Sequence, residues 1–453
     1  MRNRLWLVYV AIASVATLGY FATGHVSYVI NVIGLSSPVM IVVALRIWRP
    51  EKRLPWVMFS LGMFTFILGD IVSYNYDKFH SIAPSLFPFD ADGLTPFPGW
   101  ADGFYLAVYV FMVAGILLLI HARDPSRDRS SFVDALMLSI GIGVVSWVIL
   151  ISPQAYQQDV PLSLKLTSMA YPLADLLLLG TALRSAVGAG RKPWAFRLII
   201  TAIVALFITD AFYAWMNLYT DAGYQPGSGY LEAGWIAFYV LFGAAALHPS
   251  MRELSEPVDD VETKLTRGRL LVLAGASLMA PVLIAYEGAK GESTDLPILI
   301  AATVLLFILV VIRMWGLMQR QQQYVRHEQA LREAGMDLVT ATNRDSIHAA
   351  AGRAVLALTG DDVSVRIFEQ QEVPGELVVV AAPGSDDRAI GTSVRLSEFD
   401  AWKRERLQGR HAYQVTLRDD IADMLELYRR FCSRGWTGSA TTWSWRSSTV
   451  WPS

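Results

Sequence analysis

Ten apolar runs of about 20 residues follow one another along the first 312 residues of the chain. A helix of that length crosses the hydrocarbon core of a bilayer, and a helix satisfies its own backbone hydrogen bonds there. The runs therefore predict an all-α polytopic membrane bundle over residues 1–312, with lipid as its surroundings. The predicted spans are Leu5 to Ala22, Val29 to Ile47, Pro55 to Tyr74, Trp100 to Ile120, Phe132 to Ile151, Ser163 to Leu183, Trp194 to Leu218, Leu231 to Leu247, Leu270 to Tyr286 and Leu296 to Ile312.

Basic residues predict the direction of these spans. They gather before the first span and in every connection from an even span to an odd one, for example Arg46, Arg49 and Arg53, whereas the opposite connections hold only Lys78, Lys165 and Lys290. Connections rich in lysine and arginine stay in the cytoplasm. We therefore expect a multi-pass protein of a bacterial plasma (inner) membrane with both termini cytoplasmic.

The overall composition excludes several classes of function. Only 17% of the residues are charged and the formal net charge is −2, so nothing favours nucleic acid as a partner. Cys432 is the single cysteine, which rules out a disulfide within the chain and a cysteine-based metal cluster.

Two similar stretches indicate an internal repeat. TFILGDIVSYNY carries Asp70 in span three, and LFITDAFYAWMNLY carries Asp210 in span seven. The next spans begin PGWADGFYLAVY and EAGWIAFYVLFG, which are also alike. Spans one to four are thus predicted to be repeated as spans five to eight, and sites often form where such repeats meet.

Acidic and aromatic residues are predicted to gather at the outer ends of these repeated spans. An outward-facing pocket of this kind would suit a small cationic or amphipathic ligand, or a proton. The alternative is structural, because aromatic residues anchor helices at both bilayer interfaces and acidic residues favour helix N-termini. The candidate ligand-binding residues are Asp70, Tyr74, Trp100, Asp102, Tyr105, Asp210, Tyr213, Glu232, Trp235 and Tyr239.

Asp175 lies deeper, in YPLADLLLLG of span six. We expect it to hydrogen-bond a neighbouring helix, and it is also a candidate relay group. His121 and His248 end spans four and eight and raise the possibility of haem. Histidines at helix ends more often cap carbonyls, and no metal-ligand spacing occurs in the sequence, so no metal site is predicted and the cofactor stays unknown.

Residues 313–341 are predicted to form a linker helix. Leu317, Tyr324, Leu331 and Leu338 recur every seven residues, which is the period of a coiled-coil seam. The pattern favours a signalling helix that forms a homodimer. The alternative is a helix that packs on its own domain.

The segment 342–431 alternates between helical and strand patterns. TNRDSIHAAAGRAVLALTG predicts an amphipathic helix, DVSVRIFEQ and ELVVVAAPG predict strands, and SEFDAWKRERLQG predicts a further helix. Residues 432–453 are rich in Trp, Ser and Thr without periodicity. We expect an irregular tail that is out of frame or truncated, and the alternative is a genuine but unusual terminus.

The order helix, strand, turn and strand resembles the first half of a GAF domain, which implies a small, partial α+β domain after the linker. The whole layout, with GDIVSYNY, PGWADGFYLAVYV and YPLADLLLLG in its spans, resembles the N-terminal part of actinobacterial membrane-bound diguanylate cyclases and phosphodiesterases. In that family GGDEF and EAL domains follow the GAF domain. Neither string occurs in this sequence, so the family's catalytic residues have no counterparts here.

The leading hypothesis is a membrane receptor that relays a signal to the GAF-like module, similar to the input half of a cyclic-di-GMP signalling protein. Catalysis by this chain is not expected. The alternative is a secondary transporter that uses Asp70, Asp175 and Asp210 as coupling groups.

Overall fold

The computed structural model describes residues 2–24, 27–90, 95–123, 129–158, 160–187, 192–220, 231–256, 267–291, 293–359, 367–370, 376–381, 390–391 and 393–395. The chain divides into two compact units, residues 1–316 and 317–453. The helices are α1 (Leu5–Ala22), α2 (Ser27–Trp48), α3 (Leu54–Tyr74), α4 (Tyr76–Ile82), α5 (Trp100–Arg123), α6 (Arg129–Ser146), α7 (Ser152–Ala155), α8 (Leu162–Val187), α9 (Trp194–Tyr219), α10 (Glu232–Leu247), α11 (Arg267–Lys290), α12 (Leu296–Thr340) and α13 (Arg344–Thr359). A π-helical turn, Trp147–Ile151, joins α6 to α7, and 3-10 turns occupy Arg2–Arg4 and Pro249–Ser255.

The first unit has the architecture of a multi-pass membrane protein. Within the described residues, nine helices are long and apolar enough to cross a bilayer. This confirms the predicted helical membrane bundle at the level of its architecture. The direction of the spans stays a prediction.

The predicted eighth span differs from the other nine. It forms α10, which has 16 residues, or about 24 Å of helix, and so is shorter than the roughly 30 Å hydrocarbon core. Most of its side chains are buried, because α1, α2 and α9 pack around it. α10 is therefore an inner helix of the bundle, and its apolar sequence reflects contact with protein.

The main core lies where α3, α5, α9 and α10 meet, with Phe59, Met112 and Phe242 at its centre. Close approach of α3 to α5 depends on Gly69. A Cβ at this position would lie 2.5 Å from Cε1 of Tyr105, so only glycine lets the tyrosine ring lie against the α3 backbone. Gly69 precedes Asp70, and the close approach positions the Tyr105 phenol beside that carboxylate.

A second core joins the last helices of this unit to the rest of the bundle. Met137 and Val144 of α6 pack with Leu273 and Ala280 of α11 and with Leu306 of α12. α6 also packs against α8, and α8 against α5. A continuous series of packed helices therefore leads from α5 to α12.

The second unit contains a small antiparallel sheet. Its strands are β1 (Ile367–Gln370), β2 (Glu376–Ala381) and β3 (Ser393–Arg395), in the order β1-β2-β3. Phe368 pairs with Val379, and Leu377 pairs with Val394. α13 packs against β2, whose Val379 is buried.

Within the described residues, the predicted first helix corresponds to α13, and the two predicted strands contain β1 and β2. The predicted helix of residues 397–409 and the tail of residues 432–453, with Cys432, lie outside the described residues. The GAF-like assignment and the predicted domain boundaries stay predictions.

Candidate functional site

Asp70 accepts two phenolic hydrogen bonds inside the helix bundle, near the C-terminal end of α3. Its Oδ1 lies 2.9 Å from Tyr105 Oη on α5, and its Oδ2 lies 2.8 Å from Tyr239 Oη on α10. The side chain is 7% exposed. Burying a carboxylate is costly unless hydrogen bonds replace its water shell, and here each carboxylate oxygen has one donor.

Asp210 is the counterpart of Asp70 in the predicted repeat and has a similar environment. Its Oδ1 lies 2.7 Å from the indole Nε1 of Trp235, and its Oδ2 lies 3.0 Å from Tyr109 Oη. The same Tyr109 oxygen lies 2.9 Å from Oδ1 of the buried Asp175. A hydroxyl has one proton to donate, so Tyr109 can donate to only one of the two carboxylates at a time.

The two aspartates are held by the same pair of helices. Each receives one donor from α5 and one from α10. The four donors are Tyr105 and Tyr109 on α5, and Trp235 and Tyr239 on α10. On each helix the two donors are four residues apart and share one face. The structure thus links α3 and α9, the helices that carry the aspartates, through α5 and α10.

Glu232 lies in the first turn of α10 and is fully buried. Its Oε2 lies 2.6 Å from Tyr20 Oη of α1, and its Oε1 lies 3.3 Å from Tyr74 Oη of α3. Here too the donors are phenols. This contact ties the end of α1 and the end of α3 to the beginning of α10.

Asp102 has a structural role at the beginning of α5. Its Oδ2 accepts the backbone N–H of Gly99 at 2.7 Å, and its Oδ1 accepts the phenol of Tyr171 on α8 at 2.6 Å. A carboxylate in the first helical turn that bonds back to the preceding backbone stabilises a helix start. The bond to Gly99 agrees with the structural alternative, in which an acidic residue stabilises a helix start. The bond to Tyr171 is a contact between helices, which that alternative does not describe.

Two of the candidate aromatic residues lie at the edge of the network. Trp100 is 55% exposed and donates through Nε1 to the carbonyl of Leu86 at 2.9 Å, so it holds the connection between α4 and α5. Tyr213 is 39% exposed, and its ring centre lies 5.8 Å from that of Trp235. We name the group of Asp70, Asp175, Asp210, Glu232 and their phenol and indole partners, whose members are buried or partly buried, the carboxylate–phenol network.

The chemistry of this network favours a proton or a cation. Phenols and indoles are neutral donors, so they replace water around a carboxylate without cancelling its charge. Carboxylates that share a low-dielectric interior repel one another, and binding of a proton or a cation relieves the repulsion.

Sequence reasoning missed Tyr20, Tyr109 and Tyr171. Tyr109 could have been found, because it lies one helical turn after Tyr105.

Neither histidine has the surroundings of a haem ligand in the described part of the chain. His121 is exposed at the end of α5. The Nδ1 atom of His248 accepts the backbone N–H of Ser250 at 3.1 Å and contacts its Oγ at 2.8 Å, and burial lowers the pKa of His248. Among the described residues, no three His, Cys, Asp or Glu side chains are grouped to hold a metal ion.

A buried ion cluster at the other end of the bundle was also missed. Asp134 of α6 is fully buried and pairs with Arg269 of α11 and Arg313 of α12. Arg313 Nε lies 2.6 Å from Asp134 Oδ1, and Arg269 Nε lies 2.7 Å from Asp134 Oδ2. We call these three residues the Asp134 clasp. The only sequence signal is the lone aspartate in an otherwise apolar stretch, SFVDALML.

The predicted linker seam lies on the C-terminal half of α12. Leu317 is half-buried, and Tyr324, Leu331 and Leu338 are exposed at 42–56%.

Comparisons of the chain with protein-family models, with curated proteins and with solved structures find no match. Inferences about function therefore rest on the chain's own residues.

Proposed function

We propose that this chain is a membrane receptor that relays the binding of a proton or a small cation at the carboxylate–phenol network to its C-terminal part. The observation that carries the proposal is α12. It runs without a break from Leu296 to Thr340, and Arg313 within it pairs with the buried Asp134. An apolar span and a polar segment are thus consecutive parts of one helix, and Arg313 of the apolar part is bound to Asp134 of the bundle.

The relay uses contacts between neighbouring helices. Neutralising Asp70 or Asp210 weakens the hydrogen bonds that hold α5 and α10, since a charged acceptor binds a phenol more strongly than a neutral one. α5 packs on α8, α8 on α6, and α6 carries Asp134 of the clasp. Movement of α6 changes the position of Asp134 and so alters its ion pair with Arg313 of α12. Packed helices with two discrete arrangements can transmit such coupling over long distances.

The proposed output is a change in pairing of two copies along the α12 seam. Tyr324, Leu331 and Leu338 are large, exposed and spaced by seven residues, which suits a partner helix of the same sequence. In this proposal both termini are cytoplasmic, in a bacterial plasma membrane.

The C-terminal part is proposed to be a GAF-like module. α13 followed by the antiparallel order β1-β2-β3 supports this assignment. Together with the resemblance of the span motifs, it supports a relation to the input half of a cyclic-di-GMP signalling protein.

Oligomeric state and ion flux together test the receptor proposal. The purified chain in a mild detergent should form a dimer by light scattering. Leu317→Glu combined with Leu331→Glu should give monomers, while the matched off-seam change Gln322→Glu should leave the dimer intact. A wild-type chain that stays monomeric at all concentrations would refute the proposed output.

A secondary transporter is the second candidate, and one observation favours it. Tyr109 contacts both Asp175 and Asp210, and a hydroxyl between two carboxylates can pass a proton from one to the other. Proteoliposomes should then show proton or cation flux that is lost in Asp210→Asn. The receptor proposal predicts no such flux.

A further inference from the structure

A groove runs between α2 and α3 on the surface of the bundle. It has a volume of about 370 Å³, and its walls include Leu35 and Val39 from α2, and Leu61 and Phe64 from α3. These four side chains are 38–46% exposed. The groove is thus an apolar channel open to the surroundings of the bundle, which are lipid in a membrane protein.

A second cavity of about 510 Å³ adjoins this groove. Arg46 lines both cavities, and Arg49 and Arg53 line the second one together with apolar residues such as Val42 and Val57. The apolar channel therefore opens at one end onto three guanidinium groups. This end carries the basic connection between α2 and α3 that the sequence predicts to be cytoplasmic.

The three arginines have no acidic partner among the described residues. The nearby Glu51 pairs with Lys52, at 3.6 Å, and Lys52 lines neither cavity. Arg49 also has a backbone φ of 46°, a left-handed conformation that costs roughly 1 kcal/mol or more in a residue with a side chain. Arg46, Arg49 and Arg53 thus line one cavity, and their positive charge is complementary to a phosphate.

The length of the groove fits one leaflet. Leu35 and Arg46 are eleven residues apart on α2, which is about 16 Å of helix. Half of the hydrocarbon core of a bilayer is about 15 Å thick. An acyl chain that lies along the groove from the depth of Leu35 would bring its headgroup to Arg46.

We propose that this groove is a binding site for one anionic phospholipid. The phosphate is held by Arg46, Arg49 and Arg53, and an acyl chain lies along the apolar channel between α2 and α3. Basic pockets between spanning helices on the cytoplasmic side recognise such headgroups. The site is separate from the carboxylate–phenol network and does not depend on the receptor proposal.

Native mass spectrometry of the full chain tests the proposal. The protein is released from detergent after incubation with equal amounts of phosphatidylglycerol and phosphatidylcholine. We expect one phosphatidylglycerol to be retained with at least a tenfold preference. Arg46→Gln, Arg49→Gln and Arg53→Gln together should abolish this preference, since each basic residue near the headgroups contributes about fivefold and the three together account for all of it. A wild-type chain that retains both lipids equally would overturn the proposal.

A charge-matched control separates a site from a general attraction. Lys52→Gln, Arg197→Gln and Arg252→Gln remove three exposed positive charges from the same predicted face but leave both cavities unchanged. This variant should keep the preference for phosphatidylglycerol. If it loses the preference as fully as the groove variant does, the attraction is diffuse and the proposed site is wrong.

A further pair of measurements distinguishes a lipid from a small anion. Val39→Trp fills the apolar channel from an exposed position and should lower phosphatidylglycerol retention at least fivefold with the arginines intact. Glycerol 3-phosphate at millimolar concentration should not displace the lipid. Displacement by glycerol 3-phosphate, together with normal retention in Val39→Trp, would overturn the lipid proposal in favour of a phosphate site.

Discussion

Tyr239 of α10 donates a hydrogen bond to Asp70 of α3 at 2.8 Å, across 169 positions of sequence, and both side chains are buried. The bond joins the two halves of the predicted repeat. With the bond from Tyr105 it gives each oxygen of the Asp70 carboxylate a donor. The first half of the repeat thus supplies the carboxylate, and both halves supply its donors.

Removing the Tyr239 phenol should destabilise the bundle. Tyr239→Phe deletes one donor to a buried carboxylate, which costs about 1–2 kcal/mol in a membrane protein. Thermal unfolding in detergent should show a lower midpoint than wild type. Tyr286→Phe, at a half-exposed position of α11, is the control and should leave the midpoint unchanged. Equal midpoints for wild type and Tyr239→Phe would show that the phenol does not support the carboxylate.

The donors to Asp210 should be energetically coupled to it. Trp235→Phe removes the indole donor of the 2.7 Å bond, and Asp210→Asn removes the negative charge of its acceptor. Each change should therefore lower the free energy of unfolding less when the other is already present. A double-mutant cycle on unfolding should give a coupling of about 0.5 kcal/mol or more. Additive effects of the two changes would mean that the bond contributes nothing.

Breaking the Asp134 clasp should be more harmful than breaking an exposed ion pair. Asp134→Asn leaves Arg269 and Arg313 without their anionic partner in a buried position, at a cost of about 3–5 kcal/mol. The exposed pair Glu328–Arg332, at 2.7 Å, is the comparison, and Arg332→Gln should cost less than about 1 kcal/mol. Unfolding in detergent measures both. If Asp134→Asn leaves the free energy of unfolding almost unchanged, the Asp134 clasp does not hold α12 in the bundle.

Lys192, in the connection between α8 and α9, should make stability depend on alkaline pH. Burial lowers its pKa from 10.5 to about 8, and the positive charges of Arg123 and Arg269 act in the same direction. Between these two pH values the unfolded chain binds more protons than the folded chain. The free energy of unfolding therefore gains a contribution that grows as the pH rises from about 8 towards 10.5, and it gains none below that range.

The matched variant for this prediction is Lys192→Met, which removes the titrating group. The unfolding midpoint of wild type should increase relative to that of Lys192→Met between pH 7.5 and 9.5. Other groups titrate equally in both proteins and cancel in the difference. A constant difference across this range would show that Lys192 is not desolvated in the fold.

The sequence predicted the membrane bundle well because spanning segments are set by local composition. Segment length and hydropathy do not depend on distant contacts, so the predicted spans lie close to the observed helices. α10 differs because apolar composition cannot distinguish a helix that faces lipid from one that faces protein.

The partners of the candidate residues could not be predicted from local patterns. Asp70 and Asp210 were identified because a carboxylate in an apolar run is unusual. Tyr20 was missed because tyrosines are ordinary at span ends, and only tertiary packing brings it to Glu232. Tyr109 lies one helical turn after Tyr105 and could have been found as a candidate, but its carboxylate partners come from other helices and local patterns do not reveal them. Asp134 was missed because its partners come from helices more than 100 residues later.

Disulfide trapping of the α12 seam links the carboxylates to the proposed output. Cys432→Ser removes the single cysteine, and Leu331→Cys then reports pairing of two copies in proteoliposomes. Asp70→Asn with Asp210→Asn mimics the neutralised network and should change the cross-linking yield at least about fivefold, the low end of ordinary coupling between sites. Asp77→Asn, at an exposed carboxylate of α4, should leave the yield unchanged. Equal yields with charged and neutral carboxylates would contradict a receptor that signals from this network.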